Sequence, residues 1–127
     1  MAAEGRIRRG QVWEVELEPV RGSEIGKRRP CLVVTNDVAN RSSPVIAIVA
    51  ITSRAPKRDY PFMVEIPQEA GMARKSWVTC AHIRTVSKER LGSYRVSLDA
   101  QTISRVDRAL AIQLGLDPNL KSRQPNS

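Results

Sequence analysis

The segment PVIAIVAITS, residues 44–53, is the most apolar stretch of the chain and is rich in β-branched side chains. Such side chains are stiff at χ1 and pack well on a pleated surface, so the segment predicts a central strand. The rest of the chain must be arranged around it. QVWEVELE (11–18) alternates, with Val12, Trp13, Val15 and Leu17 apolar and Glu14, Glu16 and Glu18 facing out, which predicts a half-buried strand. PCLVVTND (30–37) predicts a short buried strand that ends in turn formers, and ANRSS (39–43) a turn or loop. YPFMVEIP (60–67) and SWVTCAHIRTV (76–86) predict two further strands, separated by a turn at QEAGMARK (68–75). VRGSEIGKRR (20–29) and RAPKRD (54–59) are basic loops, the first hinged at Gly22 and Gly26. SKERLG (87–92) suits one helical turn with Ser87 as N-cap and Gly92 past its end.

One long helix is predicted, at DAQTISRVDRALAIQLGL (99–116). Ile103, Val106, Leu110 and Leu114 recur at steps of three and four, Asp99 caps the start and Gly115 ends it. Five or more short strands with one late helix predict a mainly β fold, a small and strongly curved barrel. Closing the sheet is an economical way to bury both a core and its edges. A chain of 127 residues holds one domain. Its core is expected over about 8–116, with DPNLKSRQPNS (117–127) as a loose polar tail.

The chain carries 21 Lys and Arg against 13 Asp and Glu, a formal charge of +8, spread along its length rather than gathered in one arm. That balance predicts a folded basic surface and a polyanionic partner. No apolar run reaches the ~20 residues of a membrane span, and MAAEGRIRRGQ lacks the apolar core of a secretion signal. The expected compartment is the cytoplasm, with no membrane partner. Cys31 and Cys80 fit neither a disulfide framework nor a metal-binding spacing and read as small buried hydrophobes.

One histidine and two distant cysteines make no zinc cage, no acidic cluster suggests magnesium, and no GxxxxGK[ST] loop is present. No metal or cofactor is expected. What remains is basic chemistry around a phosphate. RNA carries its own nucleophile, the 2′-hydroxyl, so a protein that cuts it must stabilise the crowded phosphorane, assist proton transfer and hold the attack in line. Arginine suits the first task, because its planar fork binds two phosphate oxygens at once. The single His82 rules out a two-histidine acid–base pair.

RRGQVWEVELEPVRGSEIGKRRPCLVVTND, residues 8–37, resembles the N-terminal signature of the MazF/PemK toxins: RG-x-(I/V)-(W/Y), P-x-x-GSE, then RP and an apolar strand. The likeness continues through SPVIAIVAITS (43–53) and HIRTVSKERL (82–91) and spans about residues 8–115. It implies an SH3-like barrel that forms a homodimer. It also implies metal-independent cleavage of single-stranded RNA, mostly mRNA, at short sequences, leaving a 2′,3′-cyclic phosphate and a 5′-hydroxyl. An acidic, MazE-like antitoxin is the implied partner, and would account for the positive charge. Carried over by position, Arg29 of the RP motif and Thr52 at the end of the central strand act on the scissile phosphate, and Glu24 of GSE is the sensitive acid. Glu24 either accepts the 2′-hydroxyl proton or orients Arg29; its cationic surroundings favour orientation.

RNA contacts are expected at Arg21, Ser53, Lys57, Arg58, His82 and Arg84; Ser53 follows the threonine as in several members, and the strand that carries His82 and Arg84 lies along the RNA groove in the family. The family usually has Gln before IRT, where this chain has His82 after Ala81. His82 is either a groove residue that stacks on a base or a packed strand residue. The RAPKRD loop is either a contact for RNA or antitoxin or a solvated turn. Lys27 and Arg28 read as solvated cations that attract phosphate generally, and Trp13 and Trp77 as core. The alternative reading is a non-enzymatic toxin on the same barrel, like the CcdB inhibitors of DNA gyrase.

Overall fold

The computed structural model describes residues 6–17 and 27–116. It contains strands β1 (Gln11–Glu16), β2 (Arg28–Val33), β3 (Val45–Thr52), β4 (Met63–Ile66), β5 (Ser76–Ser87) and β6 (Leu91–Ser97), with helix α1 (Asp37–Ser42) between β2 and β3 and helix α2 (Ala100–Leu114) last. The strands form one antiparallel sheet in the order β4-β5-β3-β2-β1-β6. The β-branched run therefore lies inside the sheet, flanked by β5 and β2. Its residues Ile46, Ile48, Val49, Ala50 and Ile51 are all buried.

Period-two alternation along β3 feeds two cores, one on each face. Val49 and Ile51 join Val12, Leu32, Val64, Val78 and the α2 residues Val106 and Ala109. Ile46 and Ile48 join Trp13, Val15, Cys31, Val33 and Val86. Helix α2 covers the first core. Asp99 accepts a hydrogen bond from the Thr102 N–H at 2.8 Å, and Gly115 ends the helix at φ 69°, in the left-handed region where glycine has no Cβ penalty. Ile103 and Leu110 pack against the core as the periodicity predicts, whereas Leu114 is 57% exposed.

The sheet curves but does not close. β4 and β6 remain its edges among the described residues, which corrects the expectation of a closed barrel. The edges are protected in other ways. β4 has only four residues, next to a Lys75–Glu65 ion pair. β6 is largely exposed and carries Arg95, which pairs with Glu14 at 2.6 Å.

Two elements differ from the sequence expectation. ANRSS is not a loop: residues 37–42 form α1, with the Asn36 side chain accepting from the Ala39 N–H at 2.9 Å. LGSYRVS is a full strand, β6, so Gly92 lies inside it, and the SKERLG turn is reduced to a short 3-10 turn at Lys88–Arg90, capped by Ser87 as expected.

Cys31 and Cys80 are fully buried free thiols. Burial, helped by the negative charge of Glu14, pushes the Cys31 thiol up to about 12, and burial pushes Cys80 up to about 11, helped by Asp107. The thiolate is the reactive form. Both cysteines are therefore expected to ignore a disulfide reagent such as DTNB in native protein at pH 8 and to react fully in denaturant. Fast labelling of the native protein would contradict the packing of both cores.

Candidate functional site

Antiparallel register brings the two leading sequence candidates together. The β2–β3 ladder pairs Val33 with Ile48, Leu32 with Val49 and Cys31 with Ala50, and ends there. Pro30, which has no N–H to donate, sits just past its end. Continued by two residues, the same register sets Arg29 opposite Thr52, both on the face of Cys31 and Ala50. On its other side β2 still pairs with β1, Arg29 opposite Val15. That pairing and the adjacent proline hold the Arg29 backbone extended beyond the end of the β2–β3 ladder.

A large bulge in β5 brings up the third candidate. Val49 of β3 pairs with Ile83, but the next residue, Ala50, pairs with Thr79. Cys80, Ala81 and His82 thus have no partner on β3, and the Cys80 N–H instead donates to the Phe62 carbonyl at 2.8 Å. Bulges re-aim side chains and bend strands. This one directs His82 toward the end of β3.

These elements enclose an open groove of about 690 Å³. Arg29, Thr52, Ser53, Lys57 and His82, all named from the sequence, line it together. The Thr52 Oγ1 accepts the Arg54 N–H at 3.1 Å. That bond fixes the hydroxyl oxygen and leaves its O–H to donate outward. Arg29, Arg54 and Lys57 give the wall a positive potential, and no carboxylate is present among its described lining residues. The arrangement suits an anion whose oxygens take an arginine fork and a hydroxyl donor together.

Other candidates are placed elsewhere. Arg84 does not line the groove. It borders a smaller adjoining cavity of about 110 Å³ with His82, and its Nη1 donates to the Leu17 carbonyl at 3.0 Å. Arg58 is exposed on the loop beside Lys57 and is not part of the groove wall. Glu24 and Arg21 lie outside the described residues. Trp13 is buried core, in edge-to-face contact with Tyr94, while Trp77 is only half-buried, under the Lys75 ammonium. Sequence reasoning missed Arg54, Tyr60, Phe62 and Thr79 as wall residues. Arg54 stood in the basic loop already noticed. YPFMVEIP reads as one strand, but the strand begins at Met63 and leaves Tyr60 and Phe62 in the turn before it.

The family model described as the PemK-like, MazF-like toxin of type II toxin–antitoxin systems matches residues 8–114. The chain belongs to this toxin family. The Arg29–Thr52 groove thus lies within the shared MazF/PemK region. Among curated relatives of this MazF/PemK chain, endoribonuclease EndoA of Bacillus subtilis (strain 168) is 41% identical over 111 residues, covering 87% of this chain and 96% of that protein. A MazF crystal structure from Deinococcus radiodurans superposes with a TM-score of 0.77 at 27% identity, over 87% of this chain and 97% of that one. A mycobacterial endoribonuclease in complex with its cognate antitoxin gives a TM-score of 0.73 at 27% identity, over 87% and 97%. The family match does not favour the gyrase-inhibitor alternative. Among the described residues no helix is long and apolar enough to cross a membrane, and no three His, Cys, Asp or Glu side chains are grouped to hold a metal ion.

Proposed function

We propose that this MazF/PemK chain is an endoribonuclease toxin that cuts single-stranded RNA by transferring the phosphate to the substrate's own 2′-oxygen. The observation that carries the reading is the convergence of Arg29 and Thr52 at the open end of β2 and β3 in a cationic groove. The scissile phosphate sits between them, with its non-bridging oxygens on the Arg29 guanidinium and the Thr52 hydroxyl. The 2′-oxygen attacks phosphorus as its proton leaves to a base. The P–O5′ bond breaks, and the 5′-oxygen takes up a proton. The products are a 2′,3′-cyclic phosphate and a 5′-hydroxyl end. Charge builds on the phosphorane oxygens in the transition state, where fixed donors contribute most.

Glu24 orients Arg29 in this scheme. Lys57, Ser53 and His82 hold the flanking nucleotides, Arg58 and Arg21 add attraction at longer range, and Arg84 braces the chain at Leu17 beside His82. The working form is a cytoplasmic homodimer, and the whole chain is one domain. An acidic antitoxin neutralises it by covering the same cationic groove. The two relatives named as endoribonucleases, one of them bound to its antitoxin, support this reading. The test is incubation of purified protein with a long single-stranded RNA in excess EDTA. Discrete fragments with 5′-hydroxyl ends are expected. Intact RNA of diverse sequence in the presence of well-folded protein would refute the reading.

A further inference from the structure

Aromatic residues make up only 4% of this chain, five in all. Two of them, Tyr60 and Phe62, stand in the wall of the groove, stacked at 5.1 Å between centroids with 19° between planes. That spacing is the offset-stacked arrangement aromatic rings prefer. Phe62 packs against the core under α2, so the pair has a fixed base. The backbone is fixed as well. The Met63 N–H donates to the Tyr60 carbonyl at 3.1 Å, closing a turn with Pro61 in its second position, and the Phe62 carbonyl receives the Cys80 N–H. Both rings remain only half-buried.

The groove thus offers two chemistries side by side. Arg29, Arg54, Lys57 and Thr52 suit phosphate oxygens, and the ring pair suits a flat apolar surface. A nucleotide presents both. Bases splayed from single-stranded RNA are commonly held by stacking on aromatic side chains. Its volume of about 690 Å³ falls within the roughly 300–1,000 Å³ typical of small-molecule sites, enough for a base with its phosphate.

The geometry points to Tyr60 and Phe62 as a preformed stacking platform that seats the base of a nucleotide flanking the scissile phosphate. Tyr60 is the ring that meets the base and Phe62 the ring that supports it. The platform rests on the RNA-cleaving reading above. It costs little ordering on binding, because turn and core already hold it. Stacking accepts any base face, so the platform sets the position of the cut and leaves the choice of base to edge contacts such as His82.

The test first maps the cut in a short RNA, then places an abasic nucleotide at each flanking position in turn. With wild-type protein, one position is expected to lose about 10- to 100-fold in kcat/KM, the range for loss of one base–aromatic stack. Tyr60→Leu is expected to lose a similar factor on intact RNA and nothing further at that abasic position, whereas Tyr60→Phe keeps activity. A purely structural role predicts instead that the two losses multiply, and that result would overturn the platform, as would indifference of the wild type to every abasic position. A second readout does not depend on the variant. With 2-aminopurine at the sensitive position and a 2′-deoxy nucleotide at the cut, wild-type protein is expected to quench the fluorescence on binding; binding without quenching would overturn the platform. Wild-type protein that cleaves no RNA refutes the RNase reading itself, whereas cleavage without these signatures refutes the platform alone.

Discussion

Arg29→Ala is expected to lower kcat for RNA cleavage by about 100- to 1,000-fold, the range seen when one pre-organised donor to a developing oxyanion is removed. Thermal stability should change little, because Arg29 is only half-buried and sits past the end of the β2–β3 ladder. Arg29→Lys should recover only part of the loss, since an ammonium cannot span two phosphate oxygens as a guanidinium does. The neighbouring Arg28 provides the contrast. It is exposed, and Arg28→Ala should weaken RNA binding a few-fold and flatten the salt dependence by about one phosphate contact, without a comparable fall in kcat. Single-turnover cleavage with the three variants at two salt concentrations separates these effects. Equal losses in kcat for Arg28→Ala and Arg29→Ala would reduce Arg29 to a member of a general basic patch.

The contrast between adjacent cations follows from strand geometry. Lys27, Arg28 and Arg29 are indistinguishable as a charge run. In β2 successive side chains alternate faces, and Arg29 shares the face of Cys31, which leads to Thr52, while Arg28 points away into solvent. In the sequence, Arg29 stands out only through the RP motif of the family resemblance; the apolar pattern starts the strand at Pro30 and leaves both arginines in the preceding loop, whereas β2 begins at Arg28. The central strand, the four strands around it that carry strong apolar patterns and the capped C-terminal helix were legible because their burial imposes a periodicity on the residues.

The elements that escaped are those whose residues do not carry burial patterns. Helix α1 has six residues, too few for a helical period to register, and only its Asn36 cap marks it. β6 is an edge strand with most of its residues exposed, so LGSYRVS looks like a polar loop. The open sheet was hidden because closure depends on the edges meeting, and an apolar pattern says only that a strand is buried. The bulge at Cys80–His82 was invisible for a related reason. SWVTCAHIRTV reads as one strand, and only the partner's register reveals that three of its residues pair with nothing on β3. Tyr60 and Phe62 were overlooked because alternation alone cannot separate a strand's first residues from the turn that leads into it.

The decisive chemistry belongs to the substrate rather than to the protein. In the proposed reaction Arg29 and Thr52 stabilise the phosphorane formed when the substrate's own 2′-oxygen attacks the phosphorus. The most direct measurement is cleavage, in EDTA, of two RNAs of identical sequence, one of them carrying a single 2′-deoxy nucleotide on the 5′ side of the mapped cut. The unmodified RNA should be cut to a 2′,3′-cyclic phosphate and a 5′-hydroxyl. The substituted one should bind with similar affinity and remain intact at that position. Cleavage of both at the same bond would contradict the account, because the nucleophile would then have to come from water or from the protein.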